Sequence, residues 1–227
     1  MNRQPTPTKT ATVYERQRLA LLDVLRSRGI HDERVLSAMN AIPREQFVPQ
    51  AMMGRAYEDS ALPIDNRQTI SQPYTVALMT QELQVKPGMR ILEIGTGSGY
   101  QAAVLAQLGA DVISIERHPL LSQKARTLLA SLSYNVNCRI GDGTIGYRDG
   151  EPYDGIIVTA GAPDVPEPLA RQLAVGGVLV VPVGPRDQQT LYRVTRTGPE
   201  AWKAEERGPC KFVPLIGRSG WDEAIGQ

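Results

Sequence analysis

The chain has 227 residues, of which 41% are hydrophobic, and its 25 basic residues nearly balance 24 acidic ones. This length and apolar content predict a folded α/β protein with a sizeable core, while the formal net charge of +1 argues against nucleic-acid or membrane-surface partners. The two cysteines lie outside any CxxC motif, which argues against a disulfide framework or a zinc motif. Because the sequence also shows no leader and no apolar run of membrane length, we expect a cytoplasmic location.

The first part of the chain predicts a disordered tail followed by two helices. Residues 1–11 are rich in Pro, Thr and Lys and are expected to be disordered. A capping box at Thr12 opens the first helix, and Gly29 suits its C-terminal end. Asp32 is expected to cap the second helix, which Pro43 stops.

The next segment, residues 43–70, has no sustained periodicity, and a connection this long is a candidate functional segment. Ser71 is then predicted to cap a helix that carries Pro73 in its first turn. We therefore expect residues 12–85 to form an N-terminal helical and substrate-site segment. It precedes an α/β core over residues 86–227, within one compact domain overall.

After Lys86 the pattern changes to alternating strands and helices. Strands are predicted at 90–94, 111–116, 136–140, 154–159 and 177–183, helices at 99–108, 119–132 and 166–174, and further tail strands at 190–195 and 210–215. Most of these strands are continuous apolar runs, which are typical of a parallel, doubly wound sheet buried by crossover helices.

Three alternating glycines follow the first strand of this pattern, in ILEIGTGSGY (91–100). Gly95, Gly97 and Gly99 have GxGxG spacing, and Tyr100 stands where a dinucleotide fingerprint needs its last glycine. This spacing disfavours a bound pyrophosphate. A tight turn without a ligand is the alternative interpretation of the three glycines.

Acidic residues at successive strand ends favour a ligand. Glu116 lies about 20 residues after the first glycine, where an acid can accept hydrogen bonds from ribose hydroxyls. Asp142, between Gly141 and Gly143, could reach an adenine amino group, and Glu93 could interact with a cationic amino-acid tail, directly or through the loop. Ribose recognition without pyrophosphate indicates a nucleoside ligand.

These features resemble the class I S-adenosylmethionine-dependent methyltransferases. The resemblance implies a seven-stranded, Rossmann-like, mostly parallel sheet with an N-terminal helical extension, S-adenosylmethionine as cosubstrate and no metal. VTAGAP (158–163) lacks the Pro-Pro-aromatic clamp of enzymes that methylate a flipped base, and no metal-ligand cluster of the catechol-methylating type is evident. His31 and His118 are interpreted as structural or surface residues.

Four further stretches narrow the family. QTISQPYTVALM, IPREQFVP, AYEDSALPI and GDGTIGYRDGEPYDGIIVTAGAPDVPEPL together resemble the protein-L-isoaspartate O-methyltransferases, over most of residues 13–217. The resemblance implies methyl transfer to the free α-carboxylate of isoaspartyl residues in damaged proteins and peptides, whose ester then collapses to a succinimide. We expect a monomer with no nucleic-acid or membrane partner.

The same resemblance assigns site residues. Ser71 takes the position of the active-site serine, with Thr69 and Ile70 beside it in the substrate segment. The cofactor positions are Gln68, Glu93, Gly95, Gly97, Ser98, Gly99, Glu116, Arg117, Asp142 and Gly143. A carboxylate with a reference pKa of ~4 is already ionised at neutral pH, so positioning replaces a general base.

Two alternatives concern the segment before the sheet. Ser71, with backbone N–H groups at a helix start, could hold the substrate carboxylate, or it could only cap the helix. Tyr57, Glu58 and Asp59 are interpreted as shaping the peptide site rather than as surface turn residues.

Two other functions compete with protein repair. A class I methyltransferase acting on a small molecule or RNA is disfavoured by TISQP and by the missing base clamp. A catalytically silent cofactor-binding module would be expected to lose the serine segment, which is present.

Overall fold

The computed structural model describes residues 12–223, and the tail predicted to be disordered, residues 1–11, lies outside them. The helices are α1 (Val13–Ser27), α2 (Glu33–Ala41), α3 (Pro73–Leu83), α4 (Tyr100–Gln107), α5 (Pro119–Ser131) and α6 (Glu167–Arg171). The strands are β1 (Leu62–Pro63), β2 (Thr69–Ile70), β3 (Arg90–Ile94), β4 (Asp111–Glu116), β5 (Val136–Ile140), β6 (Tyr153–Val158), β7 (Leu173–Val183), β8 (Gln189–Gly198) and β9 (Ala201–Cys210).

The ends of the first two helices are fixed by local sequence signals, as predicted. Thr12 and Glu15 form a reciprocal capping box, with the Glu15 amide 3.2 Å from the Thr12 hydroxyl. Gly29 adopts a φ of 94° directly after the cap of α1. The Asp32 carboxylate accepts a hydrogen bond from the amide of Arg34 at 3.0 Å and so caps α2.

The aperiodic segment 43–70 is ordered without long elements. Two 3₁₀ helices, Arg44–Phe47 and Gln50–Arg55, lead into the short antiparallel pair β1–β2. The turn between β1 and β2 places Asn66 at a φ of 57°. This segment brings residues 68–71 to the edge of the main sheet that carries the glycine loop.

The main sheet has seven strands in the order β5-β4-β3-β6-β7-β8-β9. Strands β3 to β7 are parallel, and β8 and β9 are antiparallel additions. The predicted doubly wound, mostly parallel seven-stranded fold is confirmed. The strand order reverses between β3 and β6, which is where open α/β sheets bind ligands at the carboxyl ends of their strands.

The two faces of the sheet bury different partners. Ile91 of β3 packs in a cluster with Leu25 of α1 and with side chains of α2 to α5. Its neighbour Leu92 points to the opposite face, in a cluster with Leu169 of α6 and with Leu215 of the C-terminal segment. This alternation is the period of two expected of a strand buried on both faces.

Two predictions in the C-terminal part were wrong. The second tail strand is 201–210 rather than 210–215, because β9 is a charged edge strand with no buried residue, so the usual apolar alternation is absent from its sequence. The predicted helix 166–174 ends at Arg171, and Leu173 already pairs with Tyr153 as the first residue of β7. In the described part of the chain, no helix is both long and apolar enough to cross a membrane.

Candidate active site

A cavity of about 320 Å³ opens at the carboxyl ends of β3, β4 and β6, within the ordinary size range of small-molecule sites. Ten of the predicted site residues line it: Gln68, Thr69, Ile70, Ser71, Gly95, Gly97, Ser98, Glu116, Arg117 and Gly143. Glu93, Gly99 and Asp142 are not among its lining residues. The predicted substrate segment and the predicted cofactor loop therefore share one cavity.

The glycine loop presents its backbone to the cavity. Gly95 has a φ of 97°, and a Cβ atom there would collide with the hydroxyl of Thr159. That hydroxyl lies 2.6 Å from the Gly95 carbonyl oxygen, so the end of β6 holds the loop closely. Gly97 has a φ of 52°, which favours glycine. The spacing of glycines in the sequence thus has a steric cause at each of these two positions.

Glu116 is the buried carboxylate that fixes this loop. One of its oxygens accepts a hydrogen bond from the Gly97 amide at 2.9 Å, and the other accepts one from the His118 amide at 3.0 Å. Each carboxylate oxygen retains a further lone pair, and Glu116 lines the cavity. It can therefore accept hydrogen bonds from two neighbouring hydroxyl groups of a ligand without leaving its backbone partners.

Glu93 lies behind the loop rather than in the cavity. It is fully buried and accepts a hydrogen bond from the Ser114 hydroxyl, which in turn lies 2.5 Å from the hydroxyl of Thr96. Burial raises the pKa of Glu93 to about 8. Thr96 lines the cavity whereas Glu93 does not, so Glu93 is linked to the cavity through the hydroxyl groups of Ser114 and Thr96.

Asp142 holds the chain around the cavity. It accepts hydrogen bonds from the Thr144 amide at 2.9 Å and from the Arg218 amide at 2.9 Å. Partial burial opposes its negative charge, but the hydrogen bonds from Arg218 and Thr144 outweigh that effect and lower its pKa. Its carboxylate joins the end of β5 to the C-terminal segment, while the adjacent Gly143 lines the cavity.

The predicted cap at Ser71 was wrong. Gln72 is the N-cap residue of α3, and its side chain makes no capping hydrogen bond. The Asp59 carboxylate instead accepts a hydrogen bond from the Tyr74 amide at 2.8 Å. Proline prefers the first helical turn because it lacks an N–H group, so Pro73 sets the start of the helix two residues after Ser71.

This arrangement frees the serine hydroxyl. Between residues 12 and 223, no hydrogen-bond partner occupies the Ser71 hydroxyl, and the residue lines the cavity. The segment that precedes it supplies contacts of its own, because the Gln72 side-chain amide donates to the Asp59 carbonyl at 2.9 Å. Tyr57 donates to Glu45 and Glu58 pairs with Arg55, so Asp59 is the member of the predicted trio that contacts the start of α3.

Several lining residues were not predicted from the sequence. Thr159 and Arg186 follow β6 and β7, and His118, interpreted above as structural or surface, donates its amide to Glu116 beside the cavity. No local motif marks Arg186 as a site residue. Strand-end position was the signal that could have found Thr159.

The C-terminal segment also reaches the cavity. Val213, Pro214, Leu215, Ile216 and Glu223 line it. The Trp221 indole donates to the Gly161 carbonyl at 3.0 Å and lies under the Arg186 guanidinium, 4.8 Å away. Glu223 pairs with Arg117 across the mouth. Because these contacts join distant parts of the chain, sequence spacing could not indicate them.

Metal ligands are not grouped in the part of the chain that the structure describes. No cluster of three or more His, Cys, Asp or Glu side chains suitable for a metal ion occurs in it. Glu116 and Glu93 are instead engaged by backbone amides or hydroxyl groups, and Glu223 is paired with Arg117. This donor set suits a polar organic ligand.

Comparisons with known proteins agree with this geometry. The model of the protein-L-isoaspartate(D-aspartate) O-methyltransferase (PCMT) family matches residues 16–220. A Magnetococcus marinus protein named protein-L-isoaspartate O-methyltransferase is 52% identical over 209 residues, which cover 92% of each chain. A Salinibacter ruber protein of the same name is 54% identical over 213 residues, covering 89% of this chain and 93% of the relative.

Solved structures of protein-L-isoaspartate O-methyltransferases are also similar to this chain. One of a protein-L-isoaspartate O-methyltransferase superposes with a TM-score of 0.81 at 30% identity, covering 89% of this chain and 67% of its own. A Plasmodium falciparum PCMT crystal structure in complex with S-adenosyl-L-homocysteine has a TM-score of 0.76 at 26% identity. That match covers 91% of this chain and 99% of the other.

Proposed function

This chain belongs to the protein-L-isoaspartate(D-aspartate) O-methyltransferase family, and from that premise we propose how its cavity works. The reaction is transfer of a methyl group from S-adenosylmethionine to the free α-carboxylate of an L-isoaspartyl residue in a protein or peptide. The observation that carries this proposal is that the segment from Thr69 to Ser71 and the loop from Gly95 to Ser98 line one cavity. A donor and an acceptor can therefore meet there.

The residues at the glycine loop fit S-adenosylmethionine. Gly95 and Gly97 allow a ligand to approach the backbone, and Glu116 offers free lone pairs to the two hydroxyls of a ribose. Gly143 lines the same cavity, and the turn that contains Gly143 is held by the hydrogen bond from the Thr144 amide to Asp142. We assign the cofactor contacts to these residues together with Gln68, Ser98 and Arg117, and a supporting role to Glu93 and Gly99.

The chemistry asks little of acid–base groups. S-adenosylmethionine supplies a sulfonium methyl group, which a carboxylate oxygen of the peptide takes up while the sulfur keeps the electron pair of the broken bond. With a reference pKa of ~4, that carboxylate carries its charge at neutral pH without a general base. The protein therefore contributes alignment of the reacting atoms and exclusion of water.

Ser71 is assigned to hold the substrate carboxylate. Its hydroxyl is free of partners among the described residues, lines the cavity and can donate one hydrogen bond to an anionic oxygen. Thr69 and Ile70 of β2 are assigned to the peptide, because they precede Ser71 along the same wall. A hydrogen bond to a charged oxygen orients the attack without consuming a proton.

The proposal is tested with a pair of synthetic peptides that differ only in an isoaspartyl or aspartyl linkage. We expect labelled methyl groups to enter the isoaspartyl peptide selectively and to be released as methanol under mild alkali, as a carboxyl ester requires. Equal labelling of both peptides, or a label that resists alkali, would contradict isoaspartyl methylation and would favour methylation of a small molecule or RNA instead. Binding of S-adenosylhomocysteine without any methylation would favour a silent cofactor-binding module.

The setting of this activity is also part of the proposal. We assign a cytoplasmic, monomeric enzyme without nucleic-acid or membrane partners, supported by the free thiols of Cys138 and Cys210 and by the net charge of +1. Light scattering of the purified protein would reveal a dimer, and cell fractionation would reveal an exported protein.

A further inference from the structure

Arg44 is a fully buried arginine directly behind the wall of the cavity. Its Nε donates to the Ala56 carbonyl oxygen at 2.8 Å, and its Nη2 donates to the Ser71 carbonyl oxygen at 2.8 Å. Its Nη1 is buried with no hydrogen-bond partner. No carboxylate forms an ion pair with it within residues 12–223. The guanidinium is therefore held by uncharged groups, namely two carbonyl oxygens and the Tyr100 side chain.

Tyr100 separates this guanidinium from the cavity. The Arg44 Cζ lies 4.6 Å from the centre of the Tyr100 ring, and the edge-to-face contact of Phe47 with that ring fixes its orientation. Tyr100 and Ser71 both line the cavity. The Tyr100 side chain and the Ser71 peptide group thus lie between the buried charge and the position assigned to the substrate carboxylate.

A buried charge without an opposite charge is unfavourable for folding. Burial lowers the pKa of Arg44, but guanidinium groups keep their proton in proteins. Asp59, whose negative charge acts on Arg44, is itself paired with Arg28. The fold consequently retains a positive charge that no carboxylate among the described residues neutralises by direct contact.

We propose that Arg44 is a positioning residue for the anionic acceptor. Its hydrogen bond fixes the Ser71 carbonyl, and its uncompensated charge makes the wall formed by Ser71 and Tyr100 favour a carboxylate over a neutral group of the same shape. This inference rests on the function proposed above. It adds the source of the preference for an ionised acceptor, which Ser71 alone cannot provide because a hydroxyl serves neutral oxygens as well.

The test compares two ligands in the presence of S-adenosylhomocysteine, so that no turnover occurs. One is an isoaspartyl peptide, and the other is the same peptide with an α-carboxamide in place of the α-carboxylate. We expect the wild-type protein to prefer the carboxylate peptide in calorimetry. Arg44→Gln keeps N–H donors but loses the charge, and we expect it to reduce that preference by about ten-fold, as electrostatic interactions in a partly desolvated site do.

Charge-preserving and neighbouring variants separate this role from a structural one. Arg44→Lys should keep the preference within about three-fold of the wild type, because the charge remains. Arg26→Gln is the control, since that exposed cation pairs with Asp23 and Glu33 and contacts neither Asp59 nor Arg44, and it should leave the preference unchanged. If Arg44→Gln weakens both peptides equally, Arg44 is only structural and the inference is overturned.

A measurement on the wild-type protein covers the case in which Arg44→Gln does not fold. Salt screens exposed charges strongly and buried ones weakly, so the preference for the carboxylate peptide should persist between about 0.1 M and 1 M NaCl. Its collapse would assign the preference to arginines at the cavity mouth, such as Arg117 and Arg186. Methylation without any carboxylate preference overturns this inference alone, whereas absence of methylation overturns the proposed function and the inference with it.

Discussion

The glycine loop lines the cavity, and the side chain of Glu116, the last residue of β4, holds the backbone of this loop. Its two oxygens bind amides on both sides, those of Gly97 and His118. A ligand that used the remaining lone pairs would therefore meet an acceptor that is already oriented. Preorganised acceptors bind more tightly because little ordering is left to the moment of binding.

Replacing Glu116 should therefore weaken cofactor binding. We expect Glu116→Ala to lower the affinity for S-adenosylhomocysteine by ~1–3 kcal/mol, through lost hydrogen bonds to the ribose and a looser loop. Calorimetry at fixed salt measures this change. Glu200→Ala, which removes an exposed partner of Arg171, is the control and should bind normally. Equal affinity of the Glu116 variant and the wild type would reject the ribose assignment.

Ser71 is expected to affect rate rather than stability. Because it does not cap α3, Ser71→Ala should leave the melting temperature nearly unchanged. A lost hydrogen bond to a charged reactant is worth ~1.5–3 kcal/mol, which lowers the single-turnover rate by about 10- to 150-fold. Ser71→Thr keeps a hydroxyl and should retain more activity than the alanine variant.

Two results would contradict this assignment of Ser71. A wild-type rate in Ser71→Ala would transfer the carboxylate contact to backbone amides or to other residues of the 57–70 segment. A parallel fall in cofactor affinity would mean that the serine acts through the glycine loop. Measuring rate, cofactor affinity and melting temperature on the same samples distinguishes the two.

Glu93 should make stability depend on pH in a characteristic direction. Its pKa is raised to about 8 in the folded protein by burial, so the folded state binds a proton that the unfolded state releases above its ordinary pKa. Stability from this group is therefore full at acidic pH and is lost as pH rises towards and through 8. Glu93→Gln mimics the protonated form and should remove this loss.

Urea unfolding of wild type and Glu93→Gln between pH 6 and 9 measures the difference. We expect the free energy of unfolding of the variant, relative to wild type, to improve with pH by a few kcal/mol at most. A constant difference across this range would show that Glu93 is ionised in the folded protein throughout. The glycine loop would then rest on a buried charge.

At the scale of elements, the start of α3 is fixed by residues outside the helix. Asp59 accepts from the Tyr74 amide, and its backbone carbonyl accepts from the Gln72 side chain. Arg44, which lies in the same aperiodic segment, donates a hydrogen bond to the Ser71 carbonyl oxygen. The aperiodic segment before the sheet therefore acts as a clamp on the residues that precede α3, although its own elements are short.

Removing this clamp should destabilise the protein. Asp59→Ala deletes the acceptor for the Tyr74 amide and the partner of Arg28, and we expect a loss of ~1–2 kcal/mol in the free energy of unfolding. Glu58→Ala, one residue away, breaks only an exposed pair with Arg55 and should stay within ~0.5 kcal/mol of wild type. Equal effects of the two substitutions would argue against the clamp.

The contact of Asp59 with α3 could not be predicted from a local sequence pattern. The caps at Thr12 and Asp32 were predictable because each uses an amide two or three residues away. The cap of α3 comes from 15 residues upstream, so a local pattern assigned it to Ser71 instead. Strand β9 was missed for a related reason, since its register is set by pairing with β8 and not by burial of its own side chains.

The residues of the candidate site also divide into those that a local sequence pattern could indicate and those that depend on long-range contacts. The loop from Gly95 to Gly97 was predictable because its spacing reflects local backbone conformation, and Glu116 was predictable because strand ends gather at one edge of the sheet. The contributions of Arg186 and of the C-terminal segment depend on long-range packing. No spacing in the sequence encodes such contacts.

At the scale of the whole molecule, one apolar cluster runs from the N-terminal helices to the sheet. Leu25 of α1, Ile91 of β3 and Val180 of β7 belong to it. The C-terminal segment then returns to the cavity, where the Arg218 amide binds Asp142 and the Trp221 indole binds Gly161. The cavity wall is thus assembled from segments between Gln68 and Glu223, and the apolar cluster joins the sheet beneath it to the N-terminal helices, so a ligand bound there should stabilise the chain as one unit.

Cofactor binding should accordingly raise the melting temperature in a single transition. At a concentration of S-adenosylhomocysteine about 100 times its Kd, binding contributes ~2.7 kcal/mol, which corresponds to a shift of roughly 5–10 °C for a chain of this size.

Two spectroscopic signals measure this melting. Tryptophan fluorescence reports on β9 through Trp202 and on the C-terminal segment through Trp221, and far-UV circular dichroism reports on the helices. We expect the two signals to melt together with and without ligand. Glu116→Ala should show a smaller shift at the same ligand concentration. Separate transitions, or a shift confined to one signal, would mean that the N-terminal helices and the sheet unfold independently.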